Sequence, residues 1–404
     1  MAMRSPAGFI SAFFDPLKNP NAPTSPSASA GDASASVSFT APANVGGSAI
    51  TAYYAVANDG TTGTAASSPV TVSGLTNGTS YTFNVWALNS YGPGVWSEAT
   101  NSVTPSLQRG LFTAINGPSN IIEYINISTT GNSSDFGDLL SQNSREMGGA
   151  SSSTRGLFCG GDDGGGGYVN TIQYVTLAST GNATSFGALN YQKKLLTGLA
   201  NSTRAVFCGG YEQVASGPSS TMSYVTIAST GNATSFGVLT KASSYNASAS
   251  SPTRGVIATG YDGSTRLICV INYITIATTG NGTSFGSLTA GRSNLGGASS
   301  STRAVFAGGY NGTSYLNTID YITIDTTGNA TAFGNLASLW PTFSSNTVSS
   351  TSSNTRAVFQ GGGTSAMAYV TIDTTGNSTA FGNLSATTYA SQSGVCSTSH
   401  GGLQ

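Results

Sequence analysis

Between Arg109 and Gln404 the apolar positions fall into one unit that recurs six times. A short apolar run such as Arg303-Ala-Val-Phe-Ala-Gly-Gly309 precedes a second, Ile319-Asp-Tyr-Ile-Thr-Ile324. In the second run Ile319 and Tyr321 face one way while Ile322 and Ile324 face the other. A strand that is apolar on both faces suits a sheet covered on both sides. A small-residue stretch, Leu295-Gly-Gly-Ala-Ser-Ser-Ser301, comes before the pair, and a further strand from Ala330 to Leu336 comes after it. Fixed points mark each unit: Tyr124, Tyr174, Tyr224, Tyr273, Tyr321 and Tyr369 each stand seven residues before a Thr-Gly-Asn glycine. Five residues beyond that glycine come Phe136, Phe186, Phe236, Phe285, Phe333 and Phe381. Four short strands in a period of about fifty residues predict the blades of a β-propeller.

The pattern is different before Arg109. Ala35–Phe39, Ile50–Tyr54, Val70–Val72 and Tyr81–Val85 alternate apolar and polar residues, and turns about ten residues apart predict a small β-sandwich. Residues 1–22 carry Pro6, Pro16 and Pro20 and an apolar stretch, Gly8 to Phe14, too short to build a core. The division expected is an extended arm over 1–22, a sandwich over 23–105 and a propeller over 106–404. The first repeat starts at Arg109 without its small-residue strand. Counting from the last Thr-Gly-Asn places residues 393–399 where they supply it, so that the C-terminal strand closes the ring.

Residues Leu75-Thr-Asn-Gly-Thr-Ser-Tyr81, then Phe83, Val85, Ala87, Asn89, Gly92, Ser97 and Val103-Thr-Pro105, resemble the fibronectin type III family. Phe39 stands where that family usually has tryptophan. The resemblance implies a spacer or interaction module without catalysis. The repeats resemble kelch blades through the diglycines Gly160-Gly161, Gly209-Gly210, Gly308-Gly309 and Gly361-Gly362, the aromatic third strand and the Phe-Gly-x-Leu fourth strand. Thr259-Gly260 and Ala114-Ile115 depart from the diglycine. The fold class expected is therefore all-β: a fibronectin type III sandwich followed by a six-bladed kelch-like propeller.

Composition narrows the chemistry. Only 7% of residues are charged and the net charge is −1, which disfavours electrostatic capture of nucleic acid or anionic membrane. No apolar run is long enough to span a bilayer, and no signal peptide is expected. His400 is the only histidine, so a Ser-His-Asp triad or a histidine-rich metal site lacks material, and the fifteen acidic residues are scattered. No catalytic residue, metal or cofactor is expected. Cys159 and Cys208 occupy equivalent places in adjacent repeats, beyond disulfide reach, and read as buried thiols.

Two recurring residues have structural readings. Arg109, Arg155, Arg204, Arg254, Arg303 and Arg356 read as caps of the turn between first and second strands, their stems packed on a neighbouring blade. Asn132, Asn182, Asn232, Asn281, Asn329 and Asn377 form formal glycosylation triplets, but read as the asparagine of a Gly-Asn hairpin turn with positive φ.

Length variation singles out one rim. The spacing from repeat arginine to repeat tyrosine runs 15, 19, 20, 19, 18 and 13 residues, whereas the hairpin between third and fourth strands never changes. Irregular loops on a rigid scaffold are where recognition is usually built. The candidate ligand residues are Asp162, Tyr168, Tyr211, Glu212, Asp262, Arg266, Tyr310, Asn311, Tyr315 and Trp340. The reiterated Tyr-Ile-Thr-Ile-Asp-Thr-Thr-Gly-Asn unit also resembles segments of structural proteins of tailed bacteriophages, notably those of marine cyanobacteria. That resemblance implies a virion surface protein of tail-fibre type, assembled in the host cytoplasm. Phe9, Ile10, Phe13, Phe14 and Leu17 would anchor it to other virion proteins, and the propeller would bind a host surface glycan or receptor. A capsid decoration protein and an extracellular bacterial lectin are the alternatives, and assembly as a homo-oligomer is left open.

Overall fold

The computed structural model describes residues 18–113, 119–141, 145–264, 268–336, 347–361, 363–387 and 394–403. The chain is all-β and separates into two compact units that divide between Leu107 and Gln108. Among the described residues no helix is long and apolar enough to cross a membrane.

The first unit has a three-stranded sheet, ordered Thr24–Ala30, Ser34–Thr40, Val70–Ser73, and a four-stranded one. The latter runs Thr62–Ala65, Ala52–Ala57, Phe83–Asn89, Gly92–Pro93. Alternate residues point inward, so Val37, Ala55, Val72, Phe83, Val85 and Ala87 are buried in one core. Two strands begin later than the sequence suggested, at Ala52 and Phe83, because their pairing buries Tyr53, Ala55 and Ala57 against Phe83, Val85 and Ala87. Phe39 packs its ring 4.8 Å from that of Tyr53. The Thr76 N–H donates to the Tyr81 hydroxyl at 3.0 Å and pins the bend around Leu75.

The second unit holds six four-stranded antiparallel sheets. Sheet five is representative: Gly296–Ser299, Arg303–Ala307, Thr318–Thr323 and Thr331–Asn335, in that order. Sheet one takes its first strand from the far end of the sequence, Val395–Ser397 pairing antiparallel with Arg109–Phe112. The other first strands are Gly148–Ser151, Thr197–Ala200, Ala247–Ser250 and Val348–Ser352, in sheets two, three, four and six.

Each sheet shares one apolar cluster with the sheet before it and another with the sheet after it. Ile319 and Phe333 of sheet five meet Phe359 and Ile372 of sheet six, while Phe306 and Ile322 meet Val256 and Phe285 of sheet four. Sheets six and one are joined in the same way through Val358 and Phe381 against Phe112 and Ile125. The first strands are small because their hydroxyls and backbones pack closely. Ser299 Oγ donates to Ser250 O at 2.8 Å, and Ser151 Oγ to Ser397 O at 2.7 Å.

One expectation is corrected here. The Thr-Gly-Asn asparagines do not adopt positive φ, and the hairpin turn lies earlier, at Ile127-Ser128 in sheet one. Thr-Gly-Asn instead runs along the fourth strand of the preceding sheet. The Gly181 N–H donates to Phe136 O at 2.7 Å, and Asn182 Oδ1 accepts from Asp138 N at 3.0 Å. The same pair of contacts recurs at all six places, ending with Gly131 to Phe381 and Asn132 to Asn383. The glycine of Phe-Gly-x-Leu makes room for this approach: a Cβ on Gly334 would lie 2.1 Å from Gly376 O. Edge strands that would otherwise offer unpaired backbone are thereby covered.

Candidate functional site

In every sheet the connections between strands two and three, and from strand four to the next sheet, leave from the same strand ends. Between sheets two and three these connections build a small site. Lys193–Lys194, Tyr211–Glu212 and Gly217–Pro218 form a three-stranded ribbon of their own. The Lys193 ammonium is buried, 3.3 Å from Glu212 Oε1 and 3.3 Å from Gly209 O, and it also bonds to Thr221 Oγ1. Burial lowers its pKa, and the Glu212 carboxylate opposes that shift.

Lys194 lies between two carboxylates, 2.9 Å from Glu146 Oε2 and 3.3 Å from Asp162 Oδ2. Its Nζ is also 4.7 Å from the centre of the Tyr168 ring. Arg145 Nη2 is 3.2 Å from Asp162 Oδ1. Burial alone would raise the Asp162 pKa; the Gly164 N–H, Lys194 and Arg145 outweigh it, and the net shift is downward. For Lys194 burial is likewise the largest influence, but Glu146 and Asp162 carry the shift upward. Above this charge network Tyr168 and Tyr211 meet edge to face, 6.2 Å apart at 80°. The Tyr168 N–H donates to Gln213 Oε1, and the Tyr211 hydroxyl to Ser216 O.

The structure thus brings Asp162, Tyr168, Tyr211 and Glu212 together, and it corrects the role of the two acids. Both are absorbed in ion pairs beneath the surface, and the half-buried tyrosines are the groups that face outward. Asp262 is also engaged, 2.6 Å from Lys241 Nζ. On sheet five Tyr310 and Tyr315 rings lie 5.1 Å apart, and Asn311 Oδ1 accepts from the N–H groups of Thr313 and Ser314 within its own loop. Arg266, Trp340, Phe9, Ile10, Phe13, Phe14 and Leu17 lie outside the described residues.

Sequence reasoning missed the cations under these loops. Lys193 and Arg292 each precede a first strand by four residues. Arg292 is fully buried, 3.0 Å from Asp320 Oδ2, and burial lowers its pKa against the pull of that carboxylate. An arginine outside the recurring arginine register was the available signal.

The recurring arginines are staples between sheets. Arg204 Nη1 donates to Ile276 O and Ala277 O, at 3.0 and 2.7 Å, while its guanidinium sits 4.3 Å from the Tyr224 ring centre. Arg356 of sheet six reaches Ile127 O and Ser128 O of sheet one at 3.0 Å. The turn between first and second strands is capped instead by hydroxyls or amides such as Ser152 and Asn201, which accept from the arginine backbone N–H. Cys159, Cys208 and Cys396 are buried thiols, with Cys208 pushed up to about 12 by burial. No cluster of three or more His, Cys, Asp or Glu side chains suited to a metal occurs among the described residues.

With Asp162, Glu212, Lys193 and Lys194 engaged in ion pairs, the site offers aromatic rings, hydroxyls and backbone groups for hydrogen bonding.

Comparison with known proteins reaches the first unit. Titin domains A168–A170, seen in a crystal structure, are 29% identical to this chain over 21% of its length and 32% of theirs, with a TM-score of 0.20. No curated protein matches. The family model described as Fibronectin type III domain matches residues 21–103, and that segment is a fibronectin type III domain.

Proposed function

We propose that the second unit is a six-bladed, kelch-like propeller closed by Val395–Ser397, and that it is the non-catalytic binding head of a virion surface protein. Three properties support the ring: six sheets, an apolar cluster between each successive pair, and the same clusters and hydrogen bonds between the sixth sheet and the first. In this reading residues 1–22 dock on the particle, the fibronectin type III domain is a spacer, and the loop rim binds a host envelope glycan.

One observation carries the assignment of the rim. Among the described residues of the second unit, the exposed large hydrophobics are Leu140, Tyr191, Val214, Val238 and Tyr315, and all five sit at the strand ends that bear the variable connections. Apolar side chains gathered on one rim of a nearly uncharged surface favour contact with a partner there. Tyrosine rings such as those of Tyr211 and Tyr310, whose hydroxyls donate to Ser216 O and Gly312 O, suit the mixed apolar and hydroxyl faces of a sugar.

The test is binding of the purified full chain to arrays of bacterial envelope polysaccharide. Saturable binding is expected, weakened at least about tenfold when Tyr168 and Tyr211 are both changed to alanine, each aromatic anchor contributing roughly 1 kcal/mol. No binding at micromolar protein counts against the adhesin. Imaging of intact particles that places the chain among capsid subunits would favour a decoration protein instead.

A further inference from the structure

Residues His400 to Leu403 thread across the ends of several first strands. The His400 ring is half-buried, with Nε2 2.8 Å from Ser151 O, and the Gly402 N–H donates to Nδ1 at 3.2 Å. Because Nδ1 is an acceptor, Nε2 carries the hydrogen and donates to Ser151, so the contacts require the neutral ring. The two glycines that follow pass where no side chain fits. A Cβ on Gly401 would lie 2.0 Å from Ser300 O, and one on Gly402 2.0 Å from Ala200 O. This short segment therefore touches sheet two through Ser151, sheet three through Ala200 and sheet five through Ser300. Behind it is a cavity of about 70 Å³ walled by first strands. Cys396 is the other ionisable group on that wall, and no charged side chain lines it.

We propose that His400 is an acid-sensitive latch: protonation at Nδ1 removes the acceptor for the Gly402 N–H, places an unbalanced charge against serine and glycine walls, and releases residues 400–403 from the cavity. The latch rests on these contacts alone and stands apart from the glycan reading. Burial holds the imidazole pKa below its ordinary 6.5, against the opposing hydrogen bond to Ser151. A histidine with a lowered folded pKa contributes its full stabilisation above pH 6.5. That contribution is lost as pH falls from 6.5 through the lowered value.

Cys396 reports the opening: it stands on the cavity wall four residues before His400, in the strand that leads into the segment, and its thiol packs between sheets one and two. The full chain is labelled with 4,4′-dithiodipyridine at pH 7.5 and pH 5.0, and each cysteine is followed by peptide mass spectrometry. Rates are divided by those of the urea-unfolded chain at the same pH, which removes the intrinsic pH dependence of thiol reactivity. The corrected Cys396 rate is expected to rise on acidification by up to about thirtyfold, the ratio set by a released histidine of ordinary pKa. Cys159 and Cys208, buried within sheets two and three, should not rise with it. The variant His400→Gln, uncharged at both pH values, should give a ratio near one whatever its absolute rate. A flat ratio in the native chain, the same rise in the glutamine variant, or parallel labelling of Cys159 would overturn the latch.

Discussion

A single arginine shows how a repeated residue acts locally and between sheets at once. Arg204 places its guanidinium over Tyr224 in its own sheet and donates to the carbonyls that end the third strand of the next, at Ile276 and Ala277. Ile276 is a buried residue, so the arginine satisfies a carbonyl that burial would otherwise penalise, while the bond to Ala277 O lies at the surface. Arg204→Ala should therefore lower stability by about 2 kcal/mol, from two charge-assisted hydrogen bonds and one cation–π contact. Arg204→Lys should recover less than half of that, because an ammonium does not reproduce a planar fork held over a ring. Urea midpoints for the two variants check the order. The arginine was visible in the sequence as a recurring position, but its partner was not, because the bonded carbonyls lie about seventy residues downstream, in the sheet after its own. The Thr-Gly-Asn asparagine was misread for a related reason. Gly-Asn is a strong local turn signal, and only the neighbouring sheet reveals that the side chain serves an edge strand instead.

At the level of elements, legibility followed burial. Second and third strands such as Arg303–Ala307 and Thr318–Thr323 are covered on both faces, and their two-sided apolar pattern announces them. First strands such as Gly296–Ser299 have little pattern, since their small residues are dictated by close backbone approach. The loop ribbon around Lys193 and Glu212 carried least signal, as two-residue strands fixed by ion pairs leave no periodicity. The charge network beside that ribbon makes its own prediction. Asp162 bonds to Arg145, Lys194 and the Gly164 N–H, and its pKa is lowered from 3.8. A carboxylate with a depressed folded pKa adds stability above its unfolded pKa and loses it as pH falls through the folded value. Asp162→Asn should thus cost about 1–3 kcal/mol at pH 7, and the difference from the native chain should shrink as pH drops below 3.8. Paired urea titrations across that range decide it. A pH-independent difference would mean that shape, and not charge, is what the loop needs.

For the second unit as a whole, the decisive contact joins residues far apart in the chain. Val395–Ser397 supplies the fourth partner of sheet one, and the same strand sends bonds sideways: Ser397 O accepts from Ser151 Oγ and Cys396 O from Thr351 Oγ1. Sheets one, two and six therefore all depend on three residues. Without that strand Arg109–Phe112 would present unpaired N–H and C=O groups along an edge that is apolar on both faces. Deleting residues 394–404 should lower the urea midpoint and add a tendency to associate through the exposed edge, seen by size-exclusion chromatography and light scattering against the native chain. Deleting residues 400–404 alone leaves the strand in place and removes only the latch, so it should elute as the native chain does. The comparison separates closure by strand pairing from closure by the terminal segment. If the longer deletion keeps the native chain's association state and midpoint, the sheets form an open array and the ring proposed for this unit is wrong. A rim exists only if there is a ring, so the assignment of glycan binding to the five exposed apolar residues would fall with it.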